Sequence, residues 1–234
     1  MSLFHLENII HRYPEEKTGR QTVALRIPEL SIEHGEFITV VGPNGSGKST
    51  LLELLAFLMR PSEGKIFFET RDAWAESDAL SVRRACPILL QKTLLFSCSV
   101  HENVMFGLRA RGVSKQQAFH QADGSLNLLG ISHLAHRRHH ELSEGEKRRV
   151  ALARILALKS EVILLDEPTT SLDQETERLI EGLILRINRE QGTTVIMVSH
   201  DNQQAMTLST RIVPLLEGKI ATESFRRRSE YVHA

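Results

Sequence analysis

The sequence lacks the features that mark secreted and membrane-spanning proteins. Two cysteines in 234 residues, Cys86 and Cys98, are too few for a disulfide framework and fit a reducing compartment. No apolar run approaches the roughly 20 residues that a membrane helix needs. The first residues also lack the basic flank and apolar core of a signal peptide. We therefore expect a cytosolic protein whose membrane role, if it has one, comes through a partner.

Net charge is also missing, since 29 basic and 29 acidic residues give a formal charge of +0. No general attraction to nucleic acid or to an anionic membrane follows from such a balance, and no nucleic-acid partner is expected. Internal repeats and low-complexity regions are absent. The basic tail at residues 225–228 is predicted to be a solvated end.

One motif is present in full, directly after the apolar run at residues 37–41. It matches G-x-x-x-x-G-K-[ST], in which backbone N–H groups of the glycine-rich loop close around phosphate oxygens. Lys48 adds charge for the outer phosphates and Ser49 offers a hydroxyl to Mg²⁺. The alternative is a glycine-rich turn that fits the pattern by chance. The motif residues are Gly42, Pro43, Asn44, Gly45, Ser46, Gly47, Lys48, Ser49 and Thr50.

Hydrophobic periodicity predicts an α/β fold in three parts. Alternating residues predict antiparallel strands at 4–10 and 23–32, followed by the strand at 37–41, a helix at 49–59 and a strand at 65–69. Helical spacing fills residues 100–158. Apolar runs at residues 162–165 and 195–198, with a helix at 174–189 between them, then predict buried parallel strands. A further strand is expected at residues 211–216.

Two carboxylates, Asp166 and Glu167, follow the buried strand at 162–165. Ligands of open α/β sheets bind at the carboxyl ends of strands, so the pair is expected beside the phosphate loop. Asp166 suits Mg²⁺, usually through water, and Glu167 suits the water that attacks the γ-phosphate. The alternative is a strand that simply ends in two solvated acids.

A second helix start with anion-binding features lies at residues 142–154. Ser143 and Gly145 stand where exposed N–H groups and the helix dipole can receive an anion. Because one nucleotide needs only one phosphate loop, a second such site makes most sense if it serves a nucleotide held by another copy.

Together these segments resemble the ATP-binding cassette (ABC) ATPases over essentially the whole chain. The resemblance implies an α/β P-loop NTPase core with an antiparallel β subdomain and an α-helical subdomain. The core would take residues 1–90 and 159–234, and the helical subdomain 91–158. It also implies a head-to-tail dimer with ATP and Mg²⁺ between the subunits. The segments that carry it are 42–50, Gln91, 142–146, 164–168, 171–173 and His200.

The resemblance assigns roles to four further residues. Tyr13 matches the aromatic residue that stacks on adenine, although it could be an exposed turn residue. Gln91 matches the residue that reaches Mg²⁺ and the attacking water, or it is a surface amide. His200 matches the histidine that bonds the γ-phosphate and helps place Glu167. Asp173 matches the residue that couples the two nucleotide sites, although it could simply cap the helix at 174.

The chain departs from the family at the second helix start, where Glu144 and Glu146 replace a glycine and a glutamine. The Glu144 carboxylate could repel the triphosphate unless Lys147, Arg148 or Arg149 compensates. The histidines just before this segment lack regular ligand spacing and are interpreted as a solvated basic link rather than a metal site. They are His133, His136, His139 and His140.

The resemblance implies the ATP-hydrolysing subunit of a membrane transporter, at the cytoplasmic face of the membrane. Separate transmembrane permease subunits would bind at residues 94–104, and a substrate-binding protein would take part indirectly. The pattern is most similar to bacterial uptake systems, with a faint likeness to importers of tungstate or molybdate. The alternatives are a soluble cassette ATPase acting on DNA or the ribosome, and a P-loop kinase.

Overall fold

The computed structural model describes residues 2–14, 21–74 and 79–221. The basic tail at 225–228 and most of the turn predicted at 14–19 lie outside these residues. The chain divides into two compact units. The first comprises Met1–Ile88, Glu161–Asp166 and Ile187–Ala234, and the second comprises Leu89–Ser160 and Glu167–Arg186. The predicted domain boundary at residues 91–158 stays a prediction.

A four-stranded antiparallel sheet forms one layer of the first unit. β1 and β2 pair along most of their length, from Phe4 with Ile32 to Pro14 with Gln21, which confirms the two predicted antiparallel strands. The order is β2-β1-β4-β5. The strands are β1 (Ser2–Pro14), β2 (Gln21–Glu33), β4 (Glu63–Phe68) and β5 (Arg71–Asp72).

A six-stranded sheet, in the order β10-β9-β3-β8-β7-β6, forms the other layer. β3 is parallel to both β8 and β9, and β7 is parallel to β8. Every residue of β3, β7 and β8 is buried, as apolar runs in a covered parallel sheet should be. The strands are β3 (Phe37–Val41), β6 (Ile88–Leu89), β7 (Val162–Asp166), β8 (Thr194–Val198), β9 (Arg211–Leu216) and β10 (Lys219–Ile220).

The helices of the first unit follow the strands. α1 is shorter than the predicted helix at 49–59, because Phe57 has a φ of 55° and leaves the helical conformation. Phe57 instead packs against Phe4 and Phe68, with ring centroids 6.1 and 6.0 Å away. The tertiary packing of one aromatic side chain therefore ends the helix. The helices are α1 (Lys48–Leu55), α2 (Ala79–Ala85) and α7 (Asn202–Leu208).

The second unit is helical, as the spacing at residues 100–158 predicts. Serines at 99, 114 and 143 begin its three main helices, each accepting a backbone N–H with its hydroxyl. A fourth helix starts in this unit and ends in the first. The helices are α3 (Val100–Ala110), α4 (Lys115–Leu128), α5 (Glu144–Leu156) and α6 (Gln174–Gln191), with single 3₁₀ turns at Ser132–Leu134 and His139–Glu141.

Candidate functional site

The loop between β3 and α1 is shaped for an anion. Gly47 precedes the helix with a φ of 100°, and a Cβ there would lie 2.7 Å from the Ala24 carbonyl oxygen. Lys48 Nζ donates to the carbonyls of Gly42 and Pro43, at 2.8 and 3.0 Å. The ammonium group is thereby held across the loop, where it adds positive charge to the N-terminus of α1.

The loop also fits a triphosphate by its unsatisfied groups. The Ser46 hydroxyl oxygen is buried and has no hydrogen-bond partner among the described residues. Buried polar groups are almost always satisfied in a working structure, so a ligand oxygen is the expected partner. Ser49 is exposed at the first turn of α1, where its hydroxyl can face a cation held by the phosphates.

The hairpin formed by β9 and β10 contacts the backbone of the phosphate loop. Gly218, between β9 and β10, donates its N–H to the Ser46 carbonyl at 3.0 Å and accepts from Arg26 N at 2.7 Å. A Cβ at residue 218 would lie 2.5 Å from the Ala24 carbonyl oxygen. The contact therefore requires a glycine at this position.

Asp166 and His200 lie at the carboxyl ends of two neighbouring strands of the parallel sheet. Asp166 ends β7 opposite Val198 of β8, and Val198 lies opposite Val40 of β3. The carboxyl ends of all three strands therefore meet at one edge, with the phosphate loop on the far side of β8 from Asp166. Asp166 is 3% exposed, whereas His200 is exposed just beyond the end of β8.

Glu53 is a second carboxyl near Asp166, and sequence reasoning missed it. It lies one turn after Ser49 on α1, hence on the same helix face. Burial raises the pKa of the Glu53 carboxyl, and the carboxylate of Asp166 adds to the rise. The i to i+4 spacing from Ser49 is the signal that could have revealed it.

Tyr13 lies at the end of β1 against the phosphate-loop helix. Its side chain is 40% exposed, and its hydroxyl is 3.4 Å from both Thr50 Oγ1 and Met59 Sδ. The ring of His11 packs edge-on against it, with centroids 4.8 Å apart. A partly exposed aromatic ring thus lies beside the phosphate-loop helix, and its stacking on adenine stays a prediction.

Glu167 and Gln91 lie together in the second unit. Gln91 Nε2 donates to Glu167 Oε2 at 3.5 Å, and Thr170 Oγ1 donates to the same oxygen at 3.0 Å. Glu167 itself has a φ of 48°, a left-handed conformation that is rare outside glycine. Two donors thus orient this carboxylate, and Thr170 is a contact that the sequence did not reveal.

The predicted second anion site is the start of α5. Ser143 Oγ accepts from Glu146 N at 3.2 Å, and Glu146 Oε2 accepts from Ser143 N at 2.7 Å. This reciprocal capping box holds the pKa of the Glu146 carboxyl below its usual range, mainly through the bond from the Ser143 N–H. At Gly145, an added Cβ would lie 3.2 Å from Leu172 Cδ2, so the helix start packs closely on the segment before α6.

Lys147 forms an ion pair with Glu144. Its Nζ donates to Glu144 Oε1 at 2.6 Å, while the Glu144 side chain remains 75% exposed. Arg148 points elsewhere, into the interior of the second unit. It is 4% exposed and donates to backbone carbonyls at Leu90, Gln91, Glu167 and Pro168.

Asp173 caps α6 in the way that the simpler interpretation predicts. Its two carboxylate oxygens accept from Thr176 N at 2.9 Å and from Thr176 Oγ1 at 2.7 Å. These bonds hold the pKa of the Asp173 carboxyl below its usual range. Capping leaves the predicted coupling role open.

Three of the four histidines before α5 lie in two 3₁₀ turns. His133 lies in the first 3₁₀ turn, and His139 and His140 lie in the second, with ring centroids 5.5 Å apart. Within residues 2–14, 21–74 and 79–221, no three side chains of His, Cys, Asp or Glu gather into a group that could hold a metal ion.

Comparison with known proteins gives a family match over most of the chain. The ABC transporter family matches residues 25–170. The energy-coupling factor transporter ATP-binding protein EcfA of Methanothermobacter thermautotrophicus is 36% identical over 224 residues, which cover 94% of this chain and 70% of that protein. The Fe(3+) ions import ATP-binding protein FbpC of Agrobacterium fabrum is 37% identical over 198 residues, covering 83% of this chain and 55% of that protein.

A third relative, the sulfate/thiosulfate import ATP-binding protein CysA of Mesorhizobium japonicum, is 38% identical over 201 residues, covering 84% of this chain and 58% of that protein. The chain therefore spans little more than half the length of FbpC and CysA. Among solved structures, a dimeric ATP-binding cassette in a post-hydrolysis state, bound to ADP and Pi, has a TM-score of 0.89 and 30% identity. The alignment covers 97% of this chain and 100% of that one.

These findings confirm the predicted family, the fold class and the assignment as an ATPase that uses ATP with Mg²⁺. They agree with the phosphate loop and the buried aspartate of the first unit, and with the oriented glutamate of the second. The chain belongs to the ABC transporter family as one of its ATP-binding cassettes.

Proposed function

We propose that this chain is the ATP-hydrolysing subunit of an uptake system, working as a head-to-tail homodimer at the cytoplasmic face of the membrane. The observation that carries the proposal is the similarity to import ATP-binding proteins over more than four fifths of the chain. Transmembrane permease subunits would supply the transport path, and a substrate-binding protein would deliver the solute indirectly. No helix among the described residues is long and apolar enough to cross a membrane.

The site residues divide the work of hydrolysis. Residues 42–50 would wrap the phosphates, Lys48 would bind the outer ones and Tyr13 would stack on adenine. Ser49, Gln91 and Asp166 would hold Mg²⁺, which neutralises charge on the phosphates. The Glu167 carboxylate would take a proton from the attacking water, with His200 on the γ-phosphate. The contacts of Gln91 and Thr170 with the carboxylate of Glu167 support this role.

Ser143, Gly145 and Asp173 would act on the nucleotide bound by the partner subunit. The exposed start of α5 supports this assignment, because its dipole favours an anion. Each of the two ATP molecules would then lie between the phosphate loop of one subunit and the α5 start of the other. A dimeric cassette of similar fold, bound to ADP and Pi, supports a dimer as well.

An exposed apolar surface in the second unit supports a protein partner. The side chains of Leu94, Phe96 and Phe106 are 62%, 43% and 55% exposed. The two aromatic rings pack 4.3 Å apart, and the Arg154 guanidinium lies 5.4 Å from the Phe96 centroid. Exposed aromatic groups beside an arginine are typical of interfaces, so this surface is proposed for the permease subunit.

ATP hydrolysis at rising protein concentration tests the proposal. We expect the rate to rise more steeply than concentration, because each site needs residues of both subunits. Glu167→Gln should abolish turnover and trap a dimer with ATP and Mg²⁺, measured by size-exclusion chromatography with light scattering. Lys48→Met in the same background should prevent trapping. A hydrolysing monomer would contradict the shared site.

The transported solute belongs to the other subunits of the system. Two of the relatives are named for Fe(3+) ions and for sulfate and thiosulfate. Because relatives named for such different solutes have similar sequences, we infer that this chain contributes little to the choice of the transported solute. The predicted likeness to tungstate or molybdate importers stays a prediction, tested by uptake assays with the permease.

A further inference from the structure

We propose that Arg148 links the start of α5 to Glu167 of the same chain, and thereby couples the two nucleotide sites of the dimer. The inference rests on the proposed function. Arg148 would be a positioning residue that never touches ATP. It would set the backbone of the residues that do.

The guanidinium of Arg148 bridges two segments that carry site residues. Nη1 donates to Leu90 O at 2.8 Å and to Gln91 O at 2.7 Å, and it lies 3.4 Å from Thr93 Oγ1. Nη2 donates to Glu167 O, and Nε donates to Pro168 O at 3.4 Å. All these residues belong to the second unit. One buried side chain thus ties the backbone at Gln91 to the backbone at Glu167.

The conformation of Glu167 explains why such a tie matters. With a φ of 48°, its backbone is in a region that costs non-glycine residues energy and must be held by its surroundings. Its carbonyl accepts from both Arg148 Nη2 and Thr170 N. The planar guanidinium holds several carbonyls in fixed directions at once, which a lysine ammonium cannot do. The side-chain bond from Gln91 to Glu167 depends on this shared frame.

The position of Arg148 on α5 connects the start of this helix with the backbone of Glu167. Arg148 lies five residues after Ser143, on one continuous helix of 13 residues. A phosphate that draws in the helix start moves the guanidinium with it. In the proposed dimer that phosphate sits on the partner's phosphate loop, whereas Glu167 serves the nucleotide on its own. ATP at one site would therefore adjust the base at the other.

Steady-state hydrolysis by Arg148→Lys and Arg148→Gln tests the proposal, with Arg109→Lys and Arg109→Gln as matched controls. Arg109 lies in the same unit, is exposed and donates to a single carbonyl, that of Val113. We expect kcat to fall at least tenfold in both Arg148 variants, because small misplacement of a catalytic group has large effects. KM for ATP should change less than twofold, since the phosphate loop is untouched. The controls should match the wild-type protein.

Two further measurements separate positioning from folding. Each Arg148 variant combined with Glu167→Gln should still form the ATP-trapped dimer. The fraction of trapped dimer should, however, depend on ATP concentration with less cooperativity than in Glu167→Gln alone. A lower melting temperature with an unchanged kcat per folded molecule would overturn the proposal. A rise in KM for ATP that accounts for the whole loss of kcat/KM would overturn it as well. If Arg148→Gln does not fold, Arg148→Lys decides. Absence of hydrolysis in the wild-type protein would instead contradict the proposed function.

Discussion

Glu144 stands at the start of α5, where the resemblance predicts a glycine. Its carboxylate is held by Lys147, at 2.6 Å, yet remains exposed at the helix start proposed to meet the partner's ATP. An exposed ion pair is worth little, about 0–1 kcal/mol, so the negative charge is only partly screened. The side chain should therefore weaken, without abolishing, the approach of a triphosphate.

We expect Glu144→Gly to raise kcat/KM for ATP about two- to fivefold, which corresponds to the energy of an exposed charge interaction, about 0.4 to 1 kcal/mol. Glu144→Gln removes the charge while keeping the side-chain length, and it should give a similar rise. Titration of hydrolysis against ATP at fixed Mg²⁺ measures the effect. Unchanged or lower turnover in both variants would show that the side chain points away from the nucleotide.

At the scale of elements, apolar runs were enough to predict the buried strands β7 and β8 to within one residue of their bounds. The end of α1 was not predictable, because Phe57 leaves the helical conformation and packs against the rings of Phe4 in β1 and Phe68 in β4. Nor were the contacts of Arg148, whose carbonyl partners are remote in sequence. Local pattern predicts local structure, whereas long-range polar contacts need the fold.

Residues of the site divide in the same way. A contiguous motif predicted the phosphate loop, and the order of short segments predicted roles for Gln91, Glu167 and His200, which stay predictions. Thr170 and Glu53 were missed, because each depends on neighbours brought close by the fold. To predict their contacts, one would have had to know the orientation of the Glu167 side chain and of α1.

Capping of α3 offers a test at this scale. Bonds from the Ser99 hydroxyl and N–H to the carboxylate hold the pKa of Glu102 below its ordinary value of 4.5. A lowered folded-state pKa adds stability above the unfolded-state pKa, and that stability is lost as pH falls through the folded-state value. We expect Ser99→Ala to cost about 1 kcal/mol near neutral pH and clearly less in acid, measured by urea unfolding.

Ser114→Ala is the matched control for this prediction. Ser114 caps α4 by accepting from Gln117 N at 3.3 Å, and Gln117 does not titrate. The cost of that change should not follow the ionisation of a carboxyl group. Equal pH dependence in both variants would contradict the part assigned to Glu102.

For the whole molecule, nucleotide binding should add stability through the phosphate loop. A ligand that binds only the folded protein stabilises it by about 2.7 kcal/mol at a hundredfold excess over its Kd. ATP with Mg²⁺ should therefore raise the melting temperature of the wild-type protein in a concentration-dependent way. Lys48→Met should abolish the rise, whereas Lys115→Met, an exposed lysine at the start of α4, should preserve it. A retained rise in Lys48→Met would contradict the predicted phosphate contact.

The hairpin at Gly218 bears on the order in which the protein can be assembled during synthesis. Ser46 belongs to the first quarter of the chain, but its carbonyl is held by the Gly218 N–H, and β3 pairs on one side with β9. A nascent chain that has left the ribosome only as far as α6 possesses the whole phosphate-loop motif without this support. We therefore expect the ability to hold ATP to be acquired late in translation, when residues 211–218 emerge.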